Sequence, residues 1–279
     1  MGPSPAFHAA RGLRGLVHRT IAGPLWPKVY TEKSAHFLAM SDHSQKICRQ
    51  VAHQLERAVE SYKSYFRWRT ERQSRSRVYV FASEAAYHRF ATEKQADLEG
   101  SAGAYDPRMR ELVLFVPETP AGFIHTVRHE GFHQFIHPRL PSMPIWFNEG
   151  CANYFAAGEQ TKWGAGMTPG EPWKTGLFIL MDLLDPGDEL VPLEKLCNLT
   201  HREFMENPLV HYAQAWAVVH YLRESGDDRM EKAFSDYADA LHDGASPEEA
   251  HASALEPHAA KIEAGYRRLV KSEIRKLMR

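Results

Sequence analysis

The sequence contains little cysteine, no long hydrophobic run and almost no net charge. Its three cysteines, Cys48, Cys151 and Cys197, are odd in number and far apart. Neither a disulfide framework nor a CxxC zinc site is predicted, while a single disulfide stays open. No segment reaches the roughly 18 apolar residues that a membrane-spanning helix needs. We therefore expect no transmembrane segment. A net charge of −1 provides no field toward nucleic acid or a membrane surface, so we also expect no nucleic-acid partner.

The N-terminal region lacks both acidic residues and the apolar core of a secretory signal. No Asp or Glu precedes Glu32. A secretory signal would contain an apolar core of about 7–15 residues, which this region does not have. We interpret residues 1–29 as a flexible basic lead-in, and a transit or export peptide stays as the alternative. The location is therefore left unknown with a slight preference for the cytoplasm, and no feature indicates an oligomeric state.

The spacing of apolar residues predicts an α+β fold with two lobes. The first lobe, residues 30–137, mixes the two kinds of element. We expect a strand-like core in 30–41, a helix over 43–66, a strand over 78–83, a helix over 83–94, two strands around an Asp-Pro turn in 98–118, and a helix from Thr119 to His137. The second lobe, residues 138–279, is mostly helical, with predicted helices over 144–158, 173–184, 192–197, 209–225, 227–242 and 257–278.

Histidine recurs at every fourth position of HTVRHEGFHQFIH, residues 125–137. Side chains four residues apart lie on one face of a helix, so two such imidazoles can hold one Zn²⁺. Each helical turn adds about 5.4 Å of rise, so the four histidines cannot all bind one ion. Three pairs compete: His125 with His129, His129 with His133, and His133 with His137.

The residue that follows each pair's first histidine distinguishes the three pairs. Hydrolysis at zinc needs a base beside the reacting water, and a Glu directly after the first ligand can reach that water. Thr126 and Gln134 occupy this position in the outer pairs, whereas Glu130 follows His129. Residues 129–133 are thus an HExxH motif. A surface helix that happens to be rich in histidine is the alternative for the pentapeptide alone.

A catalytic zinc keeps three protein ligands and one open position, so a third ligand is expected downstream. Glu149 lies within WFNEGCANYF, a predicted helix that is otherwise apolar. A buried carboxylate without a partner is costly, and a metal ion is a suitable partner. A salt-bridged glutamate or one at a helix N-terminus is the alternative interpretation.

These residues resemble a known superfamily. HEGFHQ followed by PIWFNEGCANY is similar to the gluzincin zinc metallopeptidases, in which an HExxH helix and a following glutamate helix bind zinc. HYAQAWAVVHYL, residues 211–222, resembles the poorly characterised bacterial peptidase MA-like domains. The resemblance implies a zincin-like fold, one Zn²⁺ per chain and a peptide or protein substrate. It also implies that His129, His133 and Glu149 are ligands and that Glu130 is the general base.

The same resemblance suggests roles for residues around the motif. Such families often add a Tyr or His that stabilises the oxyanion, and Tyr212 is the candidate here, with His211 in reserve. Asn153, one turn after Glu149, is a candidate for orienting a ligand imidazole. His125 is expected to support a ligand or line the pocket. His137 is expected to be structural, because the helix C-terminus favours a protonated imidazole.

The sequence departs from the aminopeptidase branch of the superfamily. It has no GxMxN-type run to hold a substrate amine, and Phe155-Ala156 replaces the acidic residue that often follows the tyrosine of the glutamate helix. Aminopeptidase activity is therefore not predicted. The segment Gly100–Tyr105 is a candidate edge strand that pairs with an extended peptide, with a glycine-rich turn as the alternative.

Two other functions stay as alternatives to a metallopeptidase. The chain can instead be a non-catalytic zinc-binding scaffold or interaction protein. The basic C-terminal helix can also suggest a DNA- or membrane-surface protein, although its apolar spacing favours packing on the body with a solvated basic face. The cations of that helix are Lys261, Arg267, Arg268, Lys271, Arg275, Lys276 and Arg279.

Overall fold

The computed structural model describes residues 29–66, 68, 75–94, 101–107, 110–117, 122–157, 169–183 and 190–279. These residues form two compact units, and the boundary between the units falls between Gln134 and Phe135. The first unit contains the described residues up to Gln134, and the second contains those from Phe135 onward. The predicted lead-in lies outside the described residues apart from Val29. The predicted lobe boundary after His137 stays a prediction.

Within the described part of the first unit, five strands form one open sheet. The strands are Tyr30–Lys33 (β1), Phe37–Ser41 (β2), Ser76–Phe81 (β3), Gly103–Asp106 (β4) and Glu111–Phe115 (β5). Their order across the sheet is β1-β2-β3-β5-β4. The central strands β2, β3 and β5 are parallel, whereas β1 and β4 are antiparallel to their neighbours. The parallel strands carry the most apolar residues, as expected of strands that are covered on both faces.

One strand prediction needs correction, and another is confirmed. Residues 30–41 form two antiparallel strands rather than one strand-like core, because the chain turns at Ser34, whose amide donates to the Phe37 carbonyl at 2.9 Å. The two strands predicted around the Asp-Pro turn are present as β4 and β5, with Asp106 ending β4 just before Pro107. The mixed α and β character of this region is therefore confirmed.

Three helices pack in the first unit: Gln45–Tyr65 (α1), Glu84–Lys94 (α2) and Phe123–Ile136 (α3). Ser44 begins α1, because its hydroxyl accepts from the Ile47 amide at 3.3 Å. Helix α1 packs on β1 and β2, and α2 packs on β3 and β5. Helix α3 ends one residue before His137, as expected ahead of Pro138. The proposed start of this helix at Thr119 lies outside the described residues.

The regular elements in the described part of the second unit are all helices. Its α-helices are Ile145–Ala156 (α4), Lys174–Asp182 (α5), Leu193–Asn198 (α6), His201–Phe204 (α7), Pro208–Glu224 (α8), Asp228–His242 (α9), Pro247–Ala250 (α10) and Ala259–Leu277 (α11). Helix α8 packs against α4, α5, α9 and α11. Every residue from Ala213 to Leu222 in α8 is buried, which is typical of a helix surrounded by others. The mostly helical character predicted for this region is confirmed.

The C-terminal helix α11 packs on its neighbours through one apolar face. Ile262, Tyr266 and Val270 are buried there. Three of its cations form ion pairs: Lys261 with Asp227, Arg267 with Glu263, and Lys276 with Glu273. The prediction of an amphipathic helix packed on the body is confirmed.

The cysteines and the helix lengths agree with the sequence analysis. All three cysteines are free and buried. Among the described residues, no helix combines the length and apolar character needed to cross a membrane.

A buried histidine in α8 should make the second unit sensitive to acid. His220 is 3% exposed and stacks on Trp216, with ring centroids 5.0 Å apart. Burial, opposed by Glu273 and aided by Lys276, lowers the pKa of His220 to about 4. Because the unfolded chain binds a proton near pH 6.5 and the folded chain does not, stability falls as the pH falls from 6.5 toward 4. A shift of this size corresponds to about 3 kcal/mol.

Replacing His220 with Gln should remove most of that pH dependence. Denaturant unfolding at pH 7.5 and pH 4.5 should show a smaller difference in unfolding free energy for His220→Gln than for the unaltered protein. His53→Gln is the control, because His53 is exposed on α1 and should leave the difference unchanged. Equal pH dependence in all three proteins would contradict the assignment.

Candidate metal centre

Three side chains of α3 bring metal-binding atoms together in the first unit. One ligand atom each from His129, Glu130 and His133 lies within 4.8 Å of the other two. The His129 and His133 rings are 4.8 Å apart at their centroids and cross at 79°. All three residues are half-buried, so a small solute can reach them. Two imidazoles and a carboxylate at such distances could hold a metal ion.

The histidine pair one turn earlier in α3, His125 and His129, has a different arrangement. The rings of His125 and His129 are 5.9 Å apart and stacked at 27°, rather than crossed. Burial, followed by the charges of His129 and Arg128, lowers the pKa of His125 to about 3. A neutral imidazole beside a cation site avoids charge repulsion, which is compatible with the supporting role predicted for His125.

Helix α1 packs on a face of α3 other than the one that carries the histidines. The Tyr62 hydroxyl donates to the Arg128 carbonyl at 2.7 Å, directly before the first predicted ligand. The rings of Tyr62 and Phe132 meet edge to face, with centroids 5.4 Å apart. Burial raises the pKa of Tyr62 far above its ordinary value, so its hydroxyl remains a donor. This buried face of α3 therefore has a fixed position relative to α1, and the histidines extend from another face.

The edge of the sheet lies beside the same helix. A side-chain carbon on Gly103 in β4 would lie 2.9 Å from the Thr126 methyl carbon of α3 and 2.4 Å from Leu114. A larger residue at this position would therefore force the Leu114 or Thr126 side chain to shift. Because β4 pairs only with β5 in the described sheet, its outer edge carries backbone groups that no described strand pairs with. In the described sheet Gly103–Asp106 form an edge strand, while Gly100, where the predicted segment begins, lies outside the described residues. The role of this edge in binding peptide stays a prediction.

The second unit contains the predicted third ligand. Glu149 is 8% exposed in the middle of α4. A side-chain carbon on the next residue, Gly150, would lie 2.7 Å from the Ala215 carbonyl oxygen, so α4 and α8 are in close contact here. The Asn153 amide nitrogen donates to the Glu149 carbonyl at 3.0 Å, which leaves the amide oxygen as the group for the predicted orienting role. The ligand role of Glu149 stays a prediction.

The two oxyanion candidates have different surroundings in the second unit. His211 is buried, and its Nδ1 lies 2.7 Å from the Phe204 carbonyl, so that nitrogen carries the proton and donates. The half-buried Tyr212 extends its hydroxyl toward the Met205 sulfur at 3.7 Å. The Tyr212 ring also meets the Phe204 ring edge to face, with centroids 5.4 Å apart. The oxyanion role of either residue stays a prediction.

Residues 123–240 match a family described as a protein of unknown function (DUF1570). The matched segment begins with the first residue of α3 and ends within α9. It includes every residue that the sequence analysis assigned to the site. No curated protein matches the chain.

The sequence analysis missed the residues that support α3. Leu55 and Tyr62 lie within the helix predicted over residues 43–66, but their contact with α3 depends on the fold and has no local signal. The buried Arg128 and Gln54 were missed as well. Their side chains approach within 3.5 Å, and both residues are buried between the same two helices.

The contact between α1 and α3 makes Gly131 a sensitive position. A side-chain carbon there would lie 2.6 Å from the Leu55 methyl carbon, and Leu55 is completely buried. Gly131→Ala gains about 1 kcal/mol of helix propensity but overpacks the interface at a cost of about 1–3 kcal/mol. We expect a lower unfolding free energy and weaker zinc binding, measured by denaturant titration and chelator competition.

A double-mutant cycle identifies the cause. In a Leu55→Ala background the clash is relieved, so Gly131→Ala should become neutral or stabilising. If Gly131→Ala destabilises equally in both backgrounds, the contact with Leu55 is not the reason for the glycine.

Proposed function

We propose that this protein is a zinc-dependent metallopeptidase with a zincin-like fold. The observation that carries the proposal is the convergence of His129, Glu130 and His133 on one face of α3. Two imidazoles one turn apart suit zinc, and the carboxylate between them suits a base. The family match and the sheet are compatible with this function but do not identify a substrate.

The chain supplies the groups that a hydrolytic cycle needs. His129, His133 and Glu149 would hold the ion, which supplies a Lewis acid that acidifies water and polarises a carbonyl. Glu130 accepts a proton from the attacking water. As the C–N bond breaks, Glu130 returns that proton to the leaving amine, so the carboxylate is regenerated. Tyr212, with His211 in reserve, would donate a hydrogen bond to the oxyanion.

The edge strand favours a polypeptide as the substrate class. An extended peptide can add to β4 by backbone hydrogen bonding, and such pairing does not depend on the substrate's side chains. Gly103 lies against Thr126, which is one helical turn before Glu130. A chain paired with this edge would therefore pass close to the base. The sequence has no amine-binding GxMxN run, so aminopeptidase activity is not part of the proposal.

Replacing Glu130 tests the assignment of base and ligands. Glu130→Gln should lower kcat/KM on a cleaved peptide by about 100- to 10,000-fold, because the proton acceptor is lost. Zinc content should stay near one per chain, since the donors remain. Glu149→Gln should instead lose both zinc and hydrolysis. Glu60→Gln on the surface of α1 is the matched control and should change neither.

Two outcomes would contradict the proposal. If the unaltered protein binds zinc stoichiometrically but cleaves nothing in a broad peptide library, the scaffold alternative is favoured. If Glu130→Gln loses zinc as Glu149→Gln does, Glu130 is a ligand and not the base.

Replacing the two oxyanion candidates separates their roles. Tyr212→Phe should lower kcat about 100-fold with little change in KM, because the hydrogen bond forms only as charge develops on the oxygen. His211→Gln should mainly lower the melting temperature, because it disturbs a buried bond to Phe204. A selective loss of kcat in His211→Gln, with Tyr212→Phe fully active, would reverse the assignment.

A further inference from the structure

Three elements of the first unit meet near the start of the edge strand. The Tyr87 hydroxyl of α2 and the Ser101 hydroxyl are 2.7 Å apart, a hydrogen bond in which either can donate. Ser101 lies two residues before β4. The bond thus connects α2 to the point where the chain enters the edge of the sheet.

The ring of Tyr87 cannot move freely. The residue is completely buried, and its ring packs against those of Phe81, at 6.5 Å, and Phe115, at 5.3 Å. The only freedom of the hydroxyl is rotation about the C–O bond. A buried phenol needs a hydrogen-bond partner, and Ser101 meets that need. Ser101 is therefore held by a group with a fixed position.

Strand β4 in turn contacts α3, the helix that carries the predicted base Glu130. Gly103 lies against Thr126 on α3, one helical turn before Glu130. Burial, opposed by the Ser101 bond and aided by the Glu130 charge, raises the pKa of Tyr87 to about 12. The phenol is thus within electrostatic reach of the Glu130 carboxylate, and it stays protonated at neutral pH.

We propose that Tyr87 is a positioning residue that, through Ser101, fixes the start of β4 beside Glu130. A substrate chain paired with β4 would then meet Glu130 in one register. The effect on substrate register rests on the proposed peptidase function, whereas the effect on the position of β4 does not depend on it. The Tyr87 hydroxyl acts through Ser101 and does not itself touch the reacting atoms.

Amide hydrogen exchange tests, without any substrate, whether Tyr87 fixes the position of β4. Tyr87→Phe keeps the ring and removes the hydroxyl, so the β4 amides that pair with β5 should exchange about fivefold faster, as expected for the loss of one hydrogen bond. Amides of β2 and β3 should not change. Tyr79→Phe is the matched control, because Tyr79 is equally buried in the same sheet but donates to Glu111 at 3.2 Å.

Enzyme kinetics test whether Tyr87 affects the register of a substrate paired with β4. On a cleaved extended peptide, Tyr87→Phe should raise KM about fivefold with kcat nearly unchanged. Ser101→Ala should have the same effect, and the double variant should be no worse than either single variant, because both remove one shared bond. Zinc affinity should be equal in all of these proteins, which distinguishes positioning of the strand from damage to the metal centre.

The results separate this proposal from the proposed function. Faster exchange in β4 confined to Tyr87→Phe and Ser101→Ala supports the positioning role even if no peptide is cleaved. Exchange in β4 equal to that of Tyr79→Phe overturns it, as do additive effects of the two substitutions. A fall in kcat with unchanged KM also overturns the proposed role in substrate register.

Discussion

The packing of α3 on α1 is the constraint on which the candidate centre depends. Two imidazoles and a carboxylate come together only if α3 is regular and its position is fixed, and α1 fixes it through Tyr62 and Leu55. Glycine at position 131 has a lower helix propensity than alanine, but it lets the two helices approach each other. The helix that carries the candidate ligands on one face is thus held by buried contacts on another face. Both sets of contacts restrict which side chains fit between positions 125 and 134.

The sequence alone identified the features that depend on local geometry. Spacing within a helix fixes which side chains share a face, so the pair His129 and His133 followed from the glutamate between them. The predicted helix with the clearest apolar spacing, α1, agrees with the structure, and so does the largely buried α8. The strand-like segment 30–41 divides into two strands, because the chain turns at Ser34. The backbone and side-chain hydrogen bonds between Ser34 and Phe37 that hold this turn have no apolar signal.

Features that depend on distant parts of the chain were not predictable in this way. The bond between Tyr87 and Ser101 joins residues of two elements, and neither residue type indicates the other. The contact between Gly103 and Thr126 likewise follows only from the strand order. Glu149 was predicted as a ligand from its apolar surroundings, and it is indeed buried. Burial indicates a carboxylate with a specific partner, and zinc is the partner proposed here.

The most direct test of the account is a crystal structure of the zinc-loaded protein with anomalous scattering measured at the zinc edge. The account predicts one ion per chain, bound by His129 and His133 at about 2.0–2.1 Å and by one Glu149 oxygen, with one open position beside Glu130. An ion at another place, or an ion bound by Glu130 without Glu149, would contradict it.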